Sequence, residues 1–298
     1  MLAVLLVNYK DEQRTISYIK EELSKIRIQY LLVIINNAAT DESDNVLVNN
    51  LNATLVIDIH NKPVESSCYI ISQHDNIGFA KGNNLGAEFC LTHFKITHFL
   101  ISNNDIRFMD NDVVEKLIGK IDLLPDVGLI GPRVKGLDGK NQSPEPYSSF
   151  WKRYIWMYWL TPFLSPDTKK RMFNLDYSQQ ALEGEHYKIM GSFFIVKADD
   201  YKNCGMMDPN TFLYGEEVIL SDRLKAIHKK TYYYPHVAIL HEHGQTISQH
   251  FNTAKSMKLQ FKSESYYYRK YHGVTSFSIF LGKVSINVYI KFKSQFHQ

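Results

Sequence analysis

The chain has 298 residues, of which 44% are apolar, enough for one large domain or two small domains with a sizeable core. Its formal charge of +3 is unevenly placed, because residues 246–298 carry eight lysines and arginines against one glutamate, a charge of +7. A basic tail predicts an anionic partner surface. No nucleic-acid-binding motif accompanies it, so we expect no nucleic acid partner.

Cysteine usage and the first residues indicate the compartment. Cys68, Cys90 and Cys204 form no CxxC pair, which argues against a zinc site and against a disulfide framework. Residues 1–7 are apolar but too few for a signal peptide, and we interpret them as a buried strand. No stretch reaches the roughly 18 apolar residues of a membrane span. We therefore expect a cytoplasmic protein, with the basic tail favouring the inner face of the cytoplasmic membrane.

Hydrophobic spacing predicts strands alternating with helices through about residue 135. The predicted strands cover residues 2–7, 30–35, 69–72, 98–102 and 128–131. The predicted helices cover residues 11–26, 41–51, 83–93 and 112–123. This alternation predicts an α/β fold with a mostly parallel, doubly wound sheet. Because the predicted strands end in polar residues, we expect the site at the carboxyl edge of this sheet.

The second half of the chain breaks this rhythm over residues 136–185. All three tryptophans fall within residues 150–159, which we expect to form part of an acceptor side, a mobile lid, or a satellite core cluster. Strands are predicted again at residues 189–196, 231–234 and 237–240, and a helix at 218–227. The last residues carry apolar side chains at both helical and strand spacing, so their secondary structure stays open.

Two acidic motifs suggest the chemistry. An apolar strand ends in Ser102-Asn-Asn-Asp105, and Tyr214-Gly-Glu-Glu217 follows about a hundred residues later. One carboxylate that holds a divalent metal, with a distant carboxylate that acts as a base, is what transfer from a nucleotide-activated donor requires.

A glycine-rich motif lies between the third strand and the third helix. It is Asn76-Ile-Gly-Phe-Ala-Lys-Gly-Asn-Asn-Leu-Gly86. Glycines permit close approach of a ligand to the backbone, and a helix N-terminus presents free amides to an anionic donor.

These motifs, in this order, resemble those of the family 2 inverting nucleotide-sugar glycosyltransferases with the GT-A fold. The resemblance is to the rhamnosyltransferase-like branch of bacterial surface polysaccharide synthesis. It covers roughly residues 2–246. It implies a GT-A domain over residues 1–246 and a basic, aromatic C-terminal appendage over residues 247–298.

The resemblance implies a site for a nucleoside-diphosphate sugar. The residues at the matching positions are Asn8, Tyr9, Asn36, Asn37, Asp41, Asn76, Gly78, Phe79, Lys81, Gly82, Asn83, Asn103, Asn104, Gly191 and Asp208. Gly191 and Asp208 would meet sugars, and the others the nucleotide or its phosphates. Asn36 replaces the aspartate with which the family hydrogen-bonds the base, which leaves open which base is recognised.

The resemblance also implies a metal and a base. Asp105 and His241 would hold Mg²⁺ or Mn²⁺, with Thr246 in place of a serine after the histidine. Glu217, with Glu216 beside it, stands where the family has its catalytic aspartate. The implied reaction moves a sugar to a hydroxyl of a glycan or lipid-linked glycan, with inversion.

Two other functions remain open at this stage. A nucleotidyltransferase that makes an activated sugar has a similar sheet, but it usually carries a basic glycine-rich loop that Val7-Asn-Tyr-Lys10 lacks. A non-catalytic nucleotide-sugar-binding module is the other alternative, because Asn36, Glu217 and Ile219 depart from the family pattern. For residues 274–298 we expect contact with a membrane surface or a homodimer interface.

Overall fold

The computed structural model describes residues 1–242 and 253–295. Its strands are β1 (Leu2–Tyr9), β2 (Tyr30–Asn37), β3 (Thr54–Val56), β4 (Cys68–Gln73), β5 (His98–Ser102), β6 (Ile106–Phe108), β7 (Val127–Lys135), β8 (Gly184–Glu185), β9 (Phe193–Lys197) and β10 (Lys230–His241). They form one sheet in the order β3-β4-β2-β1-β5-β9-β7-β10-β6, and β8 pairs with β10 outside this path.

Helices cover both faces of this sheet. They are α1 (Glu12–Glu21), α2 (Asp41–Leu51), α3 (Phe79–His93), α4 (Val113–Asp122), α5 (Met157–Trp159), α6 (Pro166–Phe173), α7 (Tyr177–Gln180), α8 (Ala198–Asn203), α9 (Glu216–Ala226), α10 (Thr253–His272) and α11 (Ser276–Gln295). Buried side chains of α1, α2 and α4 pack on one face, and those of α3, α8 and α9 pack on the other. The predicted α/β architecture is therefore present.

The first half of the sheet is parallel. β3, β4, β2, β1 and β5 run in one direction. Most apolar residues of β1, β2, β4 and β5 are buried, because helices cover both faces. The registers align the polar strand ends, with Asn8 beside Asn36 and Asn36 beside Ser72. The carboxyl edge therefore collects the polar residues that the sequence placed after each strand.

The second half mixes directions. β9 lies between β5 and β7 and is antiparallel to both, and β6 and β8 are antiparallel to β10. The strands predicted at residues 231–234 and 237–240 form one continuous strand, β10. Its register against β7 shifts between Tyr234 and Ala238, and this interval contains Pro235, which has no amide hydrogen for the ladder.

Two helices begin earlier than predicted. α3 begins at Phe79 rather than at residue 83, and α9 begins at Glu216 rather than at residue 218. Each follows a glycine with positive φ, Gly78 at +85° and Gly215 at +87°. Their first turns carry few apolar residues at helical spacing, which is why the pattern missed them. Both carboxylates of the Glu216–Glu217 pair therefore lie in the first turn of α9.

The C-terminal residues are helical and pack on the sheet domain. Phe150, Tyr154, Phe261, Tyr268 and Ile286 belong to a third buried cluster that joins residues 150–158 to α9, α10 and α11. The tail, whose secondary structure the sequence left open, is therefore helical in α10 and α11. The proposed boundary between residues 246 and 247, like Thr246 itself, lies outside the described residues. Within the described ranges, no helix combines the length and apolarity needed to cross a membrane.

The tryptophan-rich segment divides between core and surface. Residues Lys152–Trp156 form a π-helix that continues into α5. Phe150 and Tyr154 are buried in the third cluster, whereas Trp151, Trp156 and Trp159 are each nearly half exposed. The expected satellite core cluster therefore includes Phe150 and Tyr154, whereas the three tryptophans form part of the surface.

Candidate active site

At the ends of β1 and β2, buried asparagine side chains hydrogen-bond to one another and to α2, and they are not exposed to a ligand. The Asn8 amide donates to Asn36 Oδ1 at 2.8 Å, and the Asn36 amide donates to Asp44 Oδ1 at 2.7 Å and to Ser43 Oγ at 2.8 Å. Asn36 is buried, so its side chain is not available to read a base in this structure. The asparagine supplies the donor that the Asp44 carboxylate needs, and an aspartate at position 36 could not.

One more predicted nucleotide contact, Asn104, belongs to this network. Thr15 Oγ1 donates to Asn8 Oδ1 at 2.7 Å, and the Asn104 amide donates to Thr15 Oγ1 at 2.9 Å. Asn8 and Asn104 therefore tie α1 to the strand ends. Tyr9 remains partly exposed at this edge, with Lys10 Nζ 5.7 Å from its ring centroid. It offers an aromatic face on which a base could stack.

The glycine-rich motif forms a tight connection into α3. Asn76 Oδ1 accepts from the Gly78 amide at 3.0 Å, and the Asn37 amide donates to the Gly78 carbonyl at 3.3 Å. The Phe79 amide donates to the Phe212 carbonyl at 3.1 Å, and a Cβ on Gly78 would lie 2.6 Å from that carbonyl oxygen. The motif is therefore locked to the loop that precedes Glu216 and Glu217.

The remaining residues of this motif have different environments. A Cβ on Gly82 would lie 3.0 Å from Val7 Cγ2, so this glycine lets α3 approach the sheet rather than a donor. Asn83 is buried and donates to the Phe79 carbonyl at 3.0 Å. Lys81 is exposed and can meet phosphate or solvent, and Asp41 on α2 is also exposed.

Asp105 and His241 come together because β10 pairs with β6. His241 is opposite Ile106 in this antiparallel register, and its Nε2 lies 3.4 Å from Asp105 Oδ1. That distance is long for a hydrogen bond, and Oδ1 is buried with no other hydrogen-bond donor in the described ranges. Burial opposes ionisation of Asp105, but His241 and Arg14 outweigh it, so the pKa of this carboxyl is below its usual value.

This pair fits a divalent cation. Gln142 Oε1 lies 3.1 Å from His241 Nδ1, and an amide oxygen only accepts, so Nδ1 carries the proton. His241 Nε2 and Asp105 Oδ1 face each other across 3.4 Å, and a ring nitrogen and a carboxylate oxygen at that separation are two ligands that one cation could share. One carboxylate and one imidazole suit Mn²⁺. Within the described ranges, no group of three or more His, Cys, Asp or Glu side chains could hold a metal, so other ligands would come from substrate or water.

A backbone hydrogen bond connects the metal motif to the segment beside the acidic pair. The Asn103 amide donates to the Ser192 carbonyl at 2.8 Å. The preceding residue, Gly191, is so close to Glu217 that a Cβ there would lie 3.4 Å from Glu217 Cβ. Gly191 therefore makes room for Glu217 beside the strand end that carries Asp105.

Glu216 and Glu217 have opposite environments. Glu216 is only 4% exposed, and its Oε1 has no hydrogen-bond partner in the described part of the chain. Burial, with the Glu217 charge second, raises the pKa of Glu216 to about 8. Glu217 is partly exposed and forms an ion pair with Lys188 at 3.5 Å. Near neutral pH this arrangement leaves Glu216 protonated and Glu217 as the acidic group that faces solvent.

A cavity of about 170 Å³ opens beside Glu217. Its lining includes Tyr147, Arg153, Tyr187, Lys188, Glu264 and Tyr267. Aromatic side chains with hydroxyl groups suit the faces and hydroxyls of a sugar. Lys188, Arg153 and Glu264 were not singled out from the sequence, because isolated charged residues carry no motif.

The Asp208 side chain binds residues of α10 and is not accessible to a sugar in this structure. Its carboxylate is fully buried and accepts from Tyr266 Oη at 2.9 Å, Lys270 Nζ at 2.9 Å and Tyr271 Oη at 2.7 Å. Burial opposes its charge, but the Lys270 and Tyr271 hydrogen bonds keep the pKa of Asp208 well below its usual value. The aromatic run at residues 266–268 was the only sequence signal of this contact.

Comparisons with known proteins agree with this fold. No family model matches the chain. A curated relative is the low-salt glycan biosynthesis hexosyltransferase Agl10 of Haloferax volcanii, 23% identical over 219 residues. The match covers 73% of this chain and 59% of Agl10, so the chain spans less than two thirds of that relative's length.

Several solved structures share this fold. The mannosyltransferase PcManGT of Pyrobaculum calidifontis, solved with GDP-Man and Mn²⁺, superposes with a TM-score of 0.57 at 8% identity, over 97% of this chain and 75% of its own. GalNAc-T7, solved with UDP, GalNAc and Mn²⁺, gives 0.51 at 12% identity, over 82% of this chain and 44% of its own. TarS residues 1–349 from S. aureus give 0.51 at 10% identity, over 91% and 73%. The predicted GT-A fold is confirmed.

Proposed function

We propose that this chain is an inverting glycosyltransferase of family 2. It would transfer a sugar from a nucleoside-diphosphate sugar to a hydroxyl of a glycan or lipid-linked glycan. The observation that carries the proposal is the connection from the strand end that carries Asp105, through the backbone hydrogen bond between Asn103 and Ser192, to Gly191, which lies against Glu217. It links the segment with the metal-type carboxylate to the segment beside a partly exposed glutamate.

In the proposed reaction Glu217 is the general base. The acceptor hydroxyl oxygen forms a bond to the anomeric carbon while the bond from that carbon to the diphosphate oxygen breaks. The hydroxyl proton passes to the Glu217 carboxylate. Attack opposite the leaving group inverts the anomeric configuration. Burial raises the pKa of Glu216, which supports Glu217 rather than Glu216 as the base.

Asp105 and His241 would hold the cation. Bound there, Mn²⁺ or Mg²⁺ supplies positive charge that stabilises the diphosphate leaving group. The glycine-rich motif, locked by Asn37 and Phe212, would position the nucleoside diphosphate at the N-terminus of α3.

The proposal specifies a nucleoside-diphosphate sugar as donor, but neither its base nor its sugar. PcManGT was solved with GDP-Man, and GalNAc-T7 with UDP and GalNAc, so proteins of this fold use different bases. In the present chain the residue at the base-reading position, Asn36, is engaged with Asp44. We propose that the base is held by Tyr9 and backbone groups. The assignment to a rhamnosyltransferase-like branch rests on the motifs alone and belongs to the same proposal.

The proposal is tested with the isolated protein and a panel of nucleoside diphosphates and nucleotide sugars, with and without Mn²⁺. One base should raise the melting temperature in a Mn²⁺-dependent manner. The matching nucleotide sugar should then release nucleoside diphosphate slowly to water, and this release should require Glu217.

Two results would overturn the proposal. Consumption of a nucleoside triphosphate and a sugar phosphate, with pyrophosphate released, would establish the nucleotidyltransferase alternative. Tight binding of a nucleotide sugar with no turnover, under any metal and with glycan acceptors added, would establish a binding module.

A further inference from the structure

Helix α11 exposes an apolar stripe to solvent. Phe277 is 68% exposed, Phe280 60% and Val284 40%, and these positions recur at helical spacing on one side. Leu281 and Val288 are partly exposed on the same side. Two phenylalanines so exposed on one helix form a contiguous apolar surface of the kind that marks an interaction site.

The opposite side of α11 is firmly packed. Gly282 faces the third cluster, where an added Cβ would lie 2.5 Å from Phe150 Cζ, and Ser285 and Ile286 are buried. The stripe therefore is not a core face exposed by a displaced helix.

The tryptophan-rich segment adjoins this helix. Trp159 Nε1 donates to Ser285 Oγ at 2.8 Å, and the Tyr158 and Tyr289 rings lie 4.8 Å apart between centroids. Trp156 lies about one helical turn before Trp159, and both indoles are nearly half exposed. We call Trp156, Trp159, Phe277, Phe280 and Val284 together the aromatic shoulder.

The charged residues of α11 have one sign. α11 contains no aspartate or glutamate, and Lys283 and Lys291 are both exposed on it. An apolar face with lysines beside it and indoles at its margin matches the requirements of the bilayer interface. Another protein would satisfy the apolar face equally well, but the one-sided charge favours anionic lipid.

We propose that the aromatic shoulder docks this protein on an anionic lipid bilayer surface. The helix lies in the plane of the interface, with the phenylalanines and indoles among the headgroups and acyl chain ends and the lysines at phosphate level. Binding is peripheral and reversible, because few side chains enter and the described helices lack the apolar length for a span.

The docking surface is close to the cavity beside Glu217. Arg153, which lines that cavity, is three residues before Trp156 in the same π-helix. Docking would hold the cavity near the lipid surface, where a lipid-linked acceptor would be presented. Docking itself does not depend on the proposed reaction, so it is measured separately from activity.

The experiment is vesicle co-sedimentation of the full chain. Vesicles of phosphatidylcholine with phosphatidylglycerol are compared with pure phosphatidylcholine at low and high salt. We expect binding to the anionic vesicles that weakens with salt. The double variant Phe277→Ser/Phe280→Ser should lower the partition coefficient at least about tenfold, because two large apolar side chains no longer enter the interface. Lys283→Gln/Lys291→Gln should remove the preference for anionic lipid.

A matched control removes exposed apolar residues elsewhere. Ile57 is 97% exposed and Leu123 78% exposed, and neither lies on α11 or residues 150–163. Ile57→Ser/Leu123→Ser should bind vesicles as the unaltered protein does.

Three results would overturn the proposal. These are no vesicle binding at low salt, equal loss in the control pair, or a concentration-dependent dimer that Phe277→Ser/Phe280→Ser dissociates while vesicle binding is absent. The last result would assign the shoulder to contact between two copies of the chain.

Discussion

Lys188 Nζ lies 3.5 Å from Glu217 Oε1 and 3.1 Å from Glu145 Oε1, so one buried ammonium joins two acidic side chains at the cavity. Burial opposes the charge of this lysine, but the Glu145 and Glu217 carboxylates outweigh it and raise the pKa of Lys188 above its usual value. Lys188 therefore stays charged and fixes the position of the Glu217 side chain. Among the described residues, Glu216 Oε1, in the same helical turn, has no hydrogen-bond partner.

Glu217→Gln should abolish most of the transfer activity while donor binding is kept. Loss of a general base commonly costs about a hundredfold to ten-thousandfold in rate. Turnover and nucleotide affinity are measured on the same preparation. Glu216→Gln is the matched control, because it changes the adjacent residue of the same helical turn. If Glu216→Gln is the inactive variant and Glu217→Gln is active, the base has been assigned to the wrong residue.

Glu216 should make the protein less stable as pH rises towards 8. The folded state keeps a proton on Glu216 up to about pH 8, whereas an unfolded glutamate loses it near pH ~4.3. Between these values the folded state binds more protons, so the free energy of unfolding falls with rising pH by up to about 1.4 kcal/mol per unit.

The contribution of Glu216 to the pH dependence of the free energy of unfolding is measured by urea unfolding at about pH 5 and about pH 8. The unaltered protein and the Glu216→Gln variant are compared at both pH values. The variant should gain stability relative to the unaltered protein, and the gain should be larger at the higher pH. A difference between the two proteins that does not change with pH would mean that Glu216 is ionised in the folded state.

Asp105→Ala should remove the dependence of activity on the divalent cation. The loss should reach at least about a hundredfold, because the charge that stabilises the leaving diphosphate is worth several kcal/mol. Activity is measured against Mn²⁺ concentration, and Mn²⁺ binding by calorimetry in the presence of nucleoside diphosphate. Asp199→Ala, which removes an exposed carboxylate from α8, is the control. Full activity of the unaltered protein in chelator would refute the metal assignment.

Asn36→Asp should destabilise the protein, although the family usually has aspartate at this position. The change places a carboxylate against Asp44 Oδ1, now 2.7 Å from the Asn36 amide, and we expect a cost of about 1–3 kcal/mol. Asn36→Asp/Asp44→Asn restores one donor and one acceptor and should recover most of the loss in a double-mutant cycle. Additive effects of the two substitutions would show that the two side chains do not depend on each other.

Much of the fold could be predicted from sequence because it depends on local pattern. Continuous apolar runs with polar ends identified β1, β2, β4 and β5, and helical spacing identified α1, α2 and α4. The pattern also placed Asp105 just after the end of β5. The antiparallel insertion of β9 could not be predicted, since pairing partners are chosen by contacts distant in sequence.

The sequence by itself determined which residue types are present at the strand ends and helix starts, and hence the class of fold and the candidate chemistry. Only the tertiary structure decided which of these groups face solvent. Asn8, Asn36 and Asp208 match donor-binding positions, yet each is buried, because neighbouring donors and acceptors on α1, α2 and α10 satisfy them. The reason is physical: a buried polar group must be paired, and its partner comes from packing between distant segments.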